Sequence, residues 1–241
     1  MIQKQLQKVL QRNFSEIPSW ATCNPYKLNK SNPYKLQNFV KGEWRFTREY
    51  TTIVDPLNGE KILQVPETKD DELTDFINNV KQVPLSGLHN PLKNPQRYQQ
   101  YGQLLLKLSE ELRKPEIEKF FTVLTQRVMP KSYIQAQGEV VVTRRFLENF
   151  TGDNPRFLSK SFSVPGDHQG QQSTGYRWPY GPVSIICPFN FPIEIPVLQL
   201  FGALITGNRP TLRVDSKVAL VMEQFQDLPY IMVFLLMIQI F

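Results

Sequence analysis

The stretch that decides the fold runs from residue 185 to residue 217 and reads IICPFNFPIEIPVLQLFGALITGNRPTLRVDSK. Residues 182–187 are a short, continuously apolar run, which is typical of a strand buried on both faces. Residues 190–207 are apolar and long enough for a helix, and Gly207-Asn208 is a helix stop signal of the left-handed kind. This part of the sequence predicts a buried strand followed by a helix.

A second strand and a second helix follow at once. Residues 211–214 are typical of a second strand of the buried type, and Asp215 or Ser216 can cap the next helix. Strand, helix, strand and helix in this order predict a parallel, doubly wound α/β sheet. Because ligands bind at the carboxyl ends of such strands, we expect the loops at 187–190 and 213–216 to share one crevice. Both loops precede helix N-termini, whose backbone N–H groups favour anionic ligands.

The earlier part of the chain predicts short strands and then several helices. Residues 39–65 hold β-type runs, with a hairpin closed by Asn58-Gly59. Asp70 or Asp71 can cap the first helix. The predicted helices cover residues 72–80, 97–112, 116–128 and 132–150. Their expected core positions are Tyr101, Leu104, Leu105, Leu108, Ile134, Val141, Phe146 and Phe150.

Residues 161–180 predict a protruding arm of two strands. The segment alternates, turns polar around Pro165 and Gly166, and then carries Tyr176, Trp178 and Tyr180. Exposed strands with aromatic side chains usually pack against something, so a partner subunit is expected here.

Composition narrows the class of protein. With 41% apolar and 21% charged residues among 241, the chain is typical of a soluble globular protein. The sequence shows no stripe of Arg and Lys interleaved with aromatics, so nucleic acid is not expected as a partner. Cys23 and Cys187 lie far apart, and only His89 and His168 are available, so neither a disulfide framework nor a metal site is predicted.

The two ends of the chain differ from its body. Residues 1–14 place apolar side chains on one helical face and Lys4, Lys8 and Arg12 around the other, without a carboxylate. That pattern predicts a mitochondrial presequence cut after Phe14; the alternative is a solvated N-terminal helix. Residues 227–241 form an apolar tail too short for a membrane span. We expect a truncated gene model, a frameshift or intron read-through, with a tail anchor as the alternative; no membrane partner is expected.

Longer motifs carry a family resemblance over about residues 36–225. The segments 181–183, 188–192 and 202–208 resemble the aldehyde dehydrogenase superfamily's P-x-N-F-P and G-A-L-x-x-G-N signature, and 54–60 resembles its early hairpin. Six further segments are similar in sequence to the plant and protist mitochondrial branch of Δ1-pyrroline-5-carboxylate dehydrogenase. They are residues 87–91, 138–140, 146–150, 170–173, 175–182 and 214–218.

The resemblance implies a fold, an activity and a cofactor. The fold would be aldehyde dehydrogenase-like α/β, an incomplete doubly wound nucleotide-binding domain with a protruding β-hairpin arm. The activity would be NAD-dependent oxidation of L-glutamate γ-semialdehyde to glutamate in proline breakdown, in the mitochondrial matrix, by a homo-oligomer. The implied divisions are 15–160 for the N-terminal part of the NAD-binding domain, 161–180 for an oligomerisation hairpin and 181–226 for the βαβα unit.

The resemblance also implies site residues. Asn190 would donate its side-chain amide to the oxyanion formed when a thiolate attacks the aldehyde; an N-cap for the following helix is the other interpretation. Cofactor-binding positions would be Ile186, Cys187, Pro188 and Phe189 at the nicotinamide end and Arg213 and Ser216 at the ribose. Arg213 stands where the family usually has a lysine. Cys187 matches the residue before Pro188 in the cofactor loop, so Cys187 would not be the family nucleophile.

The family's catalytic cysteine and general-base glutamate fall downstream of every motif present. We therefore expect a C-terminally truncated chain that is inactive alone. The alternative is a non-catalytic interaction protein that binds full-length subunits through the arm at 161–180.

Overall fold

The computed structural model describes residues 17–87, 90 and 92–228. The predicted presequence at 1–14 and the tail from residue 229 lie outside the described residues; Leu228 is buried. The strands are β1 Tyr34–Lys35, β2 Asn38–Val40, β3 Glu43–Arg45, β4 Tyr50–Val54, β5 Lys61–Pro66, β6 Ser163–Pro165, β7 Gln172–Thr174, β8 Pro182–Ile186 and β9 Arg209–Arg213. The helices are α1 Thr74–Lys81, α2 Gln96–Leu112, α3 Pro115–Val128, α4 Tyr133–Glu148, α5 Asn154–Phe157, α6 Glu194–Ile205 and α7 Ala219–Gln226.

The early hairpin is confirmed. β4 and β5 pair antiparallel, and β1 adds to β5 in parallel. The connecting loop is closed by two backbone bonds, from Gly59 N–H to the Asp55 carbonyl at 2.8 Å and from Asp55 N–H to the Glu60 carbonyl at 2.7 Å. Gly59 has φ +74°, which only glycine adopts without strain. The predicted Asn58-Gly59 turn is therefore part of a longer loop.

The first helix is not capped as predicted. α1 begins at Thr74, and no side chain caps it. The carboxylate of Asp71 instead binds the exposed guanidinium of Arg48. Glu72 accepts the backbone N–H of Lys69 at 3.0 Å and so closes the preceding turn. Because Asp71 pairs with Arg48 and Glu72 accepts the Lys69 N–H, neither carboxylate is available to cap α1.

Helices α2, α3 and α4 pack into one layer around the core. Tyr101, Leu105 and Leu108 are buried as predicted, whereas Leu104 is half-buried. On α4 the prediction is wrong for Ile134, which is 80% exposed. The buried face of α4 passes through Ala136, Glu139, Val140, Thr143 and Leu147. Val141, Phe146 and Phe150 are half-buried at its margin.

The arm is a two-stranded antiparallel hairpin, as predicted. β6 pairs with β7, and every residue of both strands is exposed. Phe162 and Tyr180 beside it are 64% and 84% exposed. The described residues leave these aromatic side chains in solvent.

The predicted βαβα unit is also present. β8 and β9 pair in parallel, and α6 connects them. Gly207 at the end of α6 has φ +90°, as the stop signal required. Burial of β8 on both faces is wrong, because Ile186 is 75% exposed. Its side chain lies in an open groove, where no described element covers it.

α7 joins this unit to the helical layer. The Phe225 ring lies 5.8 Å from that of Phe121 on α3 and 6.4 Å from that of Phe201 on α6. Neither predicted cap is used, since α7 starts at Ala219 without a side-chain cap. The Asp215 side chain accepts the Lys217 N–H at 2.9 Å and forms a tight turn ahead of the helix.

Candidate nucleotide-binding and oxyanion site

The carboxyl ends of β8 and β9 lie side by side, as the sequence predicts. Ile186 and Arg213 are partners in the parallel register, and the Cys187 N–H donates to the Arg213 carbonyl at 3.0 Å. Beyond the strands, the Lys217 ammonium lies 5.1 Å from the centre of the Phe189 ring. The two predicted loops therefore meet at one edge of the sheet.

A groove of about 820 Å³ opens beside this edge. Three of the expected cofactor positions, Ile186, Arg213 and Ser216, line it together with Trp44 and Glu223. Both Arg213 and Ser216 are exposed. The other three positions, at residues 187–189, do not line the groove.

The side chains of the loop after β8 differ in solvent exposure. Pro188, Phe189 and Asn190 are exposed, whereas Cys187 is 5% exposed. Asn190 makes no hydrogen bond with any residue in the described part of the chain. Its side-chain amide is thus free to donate to a ligand.

The N-cap interpretation of Asn190 is wrong. α6 begins at Glu194, and its N-cap residue is Ile193. The carboxylate of Glu139 on α4 fills the capping role, since its Oε1 accepts the N–H of Ile193 at 2.8 Å and of Glu194 at 3.2 Å. Two of the N–H groups expected to attract an anionic ligand are therefore already occupied.

Glu139 and its partner Lys131 are not among the site residues that the sequence predicts. Their Oε2 and Nζ atoms are 2.8 Å apart, and the side chains are 1% and 12% exposed. The sequence does carry a signal for Glu139, because this acid falls on the same helical face as the buried Ala136 and Thr143. An acid on an otherwise buried face requires a partner.

Both cysteines are free, buried thiols. Burial raises the pKa of Cys187 above its ordinary value. Burial and the nearby Glu223 carboxylate raise the pKa of Cys23 to about 12, although Arg127 acts in the opposite direction. Since the thiolate is the nucleophile, burial and the raised pKa both disfavour reaction of these two cysteines.

A buried carboxyl group stands at the back of the groove. Glu223 accepts a hydrogen bond from the Tyr34 hydroxyl at 2.7 Å and another from the Gln37 N–H at 2.8 Å. Burial raises its pKa to about 7, although both hydrogen bonds oppose the rise. No local pattern in the sequence indicates this contact.

Two kinds of feature are absent from the described ranges, 17–87, 90 and 92–228. These ranges hold no helix with the length and apolarity that a membrane crossing demands. Nor do they hold a group of three or more His, Cys, Asp or Glu side chains suited to a metal ion.

Comparisons with known proteins identify the family. The model of the aldehyde dehydrogenase family matches residues 44–229. The mitochondrial delta-1-pyrroline-5-carboxylate dehydrogenase 12A1 of Arabidopsis thaliana is 52% identical over 91% of this chain and 39% of that protein. A probable aldehyde dehydrogenase of Linum usitatissimum is 52% identical over 90% of this chain and 39% of its own length.

A solved structure shares the fold. The 1-pyrroline-5-carboxylate dehydrogenase from Thermus with bound NAD superposes with a TM-score of 0.60 at 16% identity, over 82% of this chain and 37% of that one. The chain spans 39% of the length of the two curated relatives. From the match at residues 44–229, the chain belongs to the aldehyde dehydrogenase family.

Proposed function

We propose that this chain serves the NAD-dependent oxidation of L-glutamate γ-semialdehyde, the open form of Δ1-pyrroline-5-carboxylate, to glutamate. The observation that carries the proposal is the Asn190 side chain, which is exposed after β8 and free of hydrogen bonds within the described residues. The substrate rests on the 52% identity with the Arabidopsis enzyme of that name.

The Asn190 amide would stabilise the oxyanion that forms when a thiolate adds to the aldehyde carbon. An N–H aimed at the developing negative charge contributes about 3–4 kcal/mol in comparable sites. The donor lies on the loop between β8 and α6.

NAD would lie along the carboxyl ends of β8 and β9. Arg213 and Ser216 line the groove and carry donors suited to ribose hydroxyl groups, although the planar guanidinium differs from a lysine ammonium. The exposed Ile186, Pro188 and Phe189 would shape the nicotinamide end, with Cys187 contributing backbone. When bound, NAD supplies the hydride acceptor that the oxidation needs.

We further propose that the 241-residue chain does not turn over an aldehyde by itself. Its two cysteines are buried, with raised pKa values, so neither supplies a thiolate near Asn190. Incubation of the purified chain with NAD and the semialdehyde is expected to yield no NADH. NADH formation at enzyme-like rates would contradict this proposal.

Calorimetric titration with NAD tests cofactor binding directly. We expect saturable binding to the wild-type chain and weaker binding to Arg213→Ala and Ser216→Ala. Arg156→Ala is the matched control, because Arg156 on α5 is an exposed arginine that pairs with Asp153. Absence of binding to the wild-type chain, or equal losses in Arg156→Ala and Arg213→Ala, would overturn the cofactor assignment.

The exposed arm favours a second candidate function, a non-catalytic interaction protein that joins full-length subunits. Phe162, Val164 and Tyr180 are 64%, 47% and 84% exposed on or beside the hairpin. Co-expression with a full-length family member and size-exclusion chromatography test this candidate. Separate elution of the two chains excludes it, whereas co-elution that is lost in Phe162→Ser supports it.

A mitochondrial matrix location is also proposed, on the basis of residues 1–14 and of the mitochondrial name of the Arabidopsis relative. Import of the chain into isolated mitochondria, with processing after Phe14, tests it. A variant with Lys4, Lys8 and Arg12 changed to Gln should not be imported. Equal import of both forms would remove the basis for a presequence.

A further inference from the structure

The helix α6 begins without a capping side chain of its own. The first backbone N–H groups of a helix have no partner within it and require an acceptor when they are buried. Here the acceptor comes from another helix, since Oε1 of Glu139 binds the N–H groups of Ile193 and Glu194 at 2.8 Å and 3.2 Å. Glu139 is 3% exposed, so water does not compete for these bonds.

The second oxygen of Glu139 acts through Lys131 on an earlier position of the same loop. Its Oε2 pairs with the Lys131 ammonium at 2.8 Å. That ammonium also lies 4.1 Å from the centre of the Phe191 ring, within the range of a cation–π contact. Phe191 directly follows Asn190, so Glu139 and Lys131 hold the loop at Phe191, Ile193 and Glu194, immediately after the asparagine.

We propose that Glu139, supported by Lys131, is a positioning residue that takes over the helix cap and so leaves the Asn190 amide free for the oxyanion. Asparagine is itself a favoured N-cap, and a capping asparagine turns its side chain onto its own helix. With the N–H groups satisfied by Glu139, Asn190 is released from that competing role. This inference rests on the proposed function of Asn190.

Hydrogen exchange of the intact chain, followed by mass spectrometry, measures the loop directly. Glu139→Leu removes the acceptor, and we expect exchange at Ile193 and Glu194 to rise roughly tenfold or more. Glu139→Gln keeps an acceptor oxygen, so its increase should be smaller. Glu148→Gln is the control on the same helix, because Glu148 binds Arg113 and Arg144 instead of the loop. Equal increases in the Leu and Gln variants, or none in either, would overturn the proposal.

A spectroscopic readout separates positioning from general stability. The side-chain amide signal of Asn190 in a nitrogen–proton correlation spectrum is assigned by its loss in Asn190→Ala. We expect Glu139→Leu and Lys131→Met to shift or broaden this signal, whereas Glu148→Gln leaves it in place. If Glu139→Leu also lowers protection in the distant β4–β5 hairpin, Lys131→Met becomes the deciding variant. An unchanged Asn190 signal in Lys131→Met then overturns the positioning role.

Neither readout requires a cofactor or a substrate. Failure of the wild-type chain to bind NAD would count against the proposed function while the exchange comparison still measured what Glu139 does to the loop. An unaltered loop in Glu139→Leu would overturn the positioning role even in a chain that binds NAD. The two failures are therefore distinguishable.

Discussion

The Tyr34 hydroxyl donates a hydrogen bond to Oε1 of Glu223 at 2.7 Å, although 189 residues separate the two along the chain. The contact ties the N-terminal strand β1 to α7, the second helix of the βαβα unit. It also gives a buried carboxyl group a partner at the back of the groove.

Tyr34→Phe is expected to destabilise the chain. The substitution removes the donor to Glu223 and leaves a buried carboxyl group with one partner fewer, which costs about 1–3 kcal/mol. Urea denaturation followed by circular dichroism measures the change in the free energy of unfolding. Tyr26→Phe is the control, because Tyr26 is 50% exposed. Equal effects in the two variants would contradict the assigned role of the contact.

Glu223 makes stability depend on pH. Because burial raises its pKa from 4.5 to about 7, the folded state binds more protons than the unfolded state between these values. Its contribution is fully present below about pH 4.5 and is lost as the pH rises through 7, a change on the order of 3 kcal/mol. Unfolding curves of wild type and Glu223→Gln, compared from pH 5 to 8, isolate the effect. A difference between them that does not vary with pH would refute it.

Asp55→Asn is expected to be strongly destabilising. Asp55 is fully buried, and its Oδ2 lies 2.8 Å from Nη1 of Arg127, whose side chain is 25% exposed. Removing one charge from such a pair costs roughly 3–5 kcal/mol, since the other charge stays desolvated. The matched control Asp153→Asn breaks an exposed pair with Arg156 and should change the thermal midpoint little. Similar midpoints for both variants would argue against a structural role for the buried pair.

Two glycines should respond in opposite directions to alanine. Gly181 has φ +91°, and a Cβ there would lie 2.4 Å from the Pro84 carbonyl oxygen, so Gly181→Ala should cost more than about 1 kcal/mol. Gly138 lies within α4, and a methyl group there would meet no atom within 4 Å, so Gly138→Ala should gain about 0.5–1 kcal/mol. Chemical denaturation of both variants checks the opposite signs.

Both cysteines should resist thiol reagents. Cys23 and Cys187 are 1% and 5% exposed, and burial raises the pKa of each. We expect an aromatic disulfide reagent to label neither residue appreciably in the native chain and both after denaturation. Cys187→Ser should retain NAD binding, since only the backbone of this residue is assigned to the cofactor. Rapid labelling of Cys187 under native conditions would contradict this expectation.

Much of the fold could be predicted from the sequence. The β4–β5 hairpin, the exposed arm and the parallel β8–β9 pair follow from apolar periodicity and from turn residues such as Gly59 and Gly207. The faces and caps were harder to predict. Ile134 is exposed although it fits a helical pattern, because the neighbouring helices decide which stripe of α4 is buried.

The sequence by itself determined the order of strands and helices, the meeting of the loops after β8 and β9, and the family, because these depend on local patterns and on contiguous motifs. Only the tertiary structure decided that Glu139 caps α6 and that Glu223 binds Tyr34. The partners lie 54 and 189 residues apart. A hydrogen bond between such distant groups exists only after packing has buried both, and no local pattern encodes that.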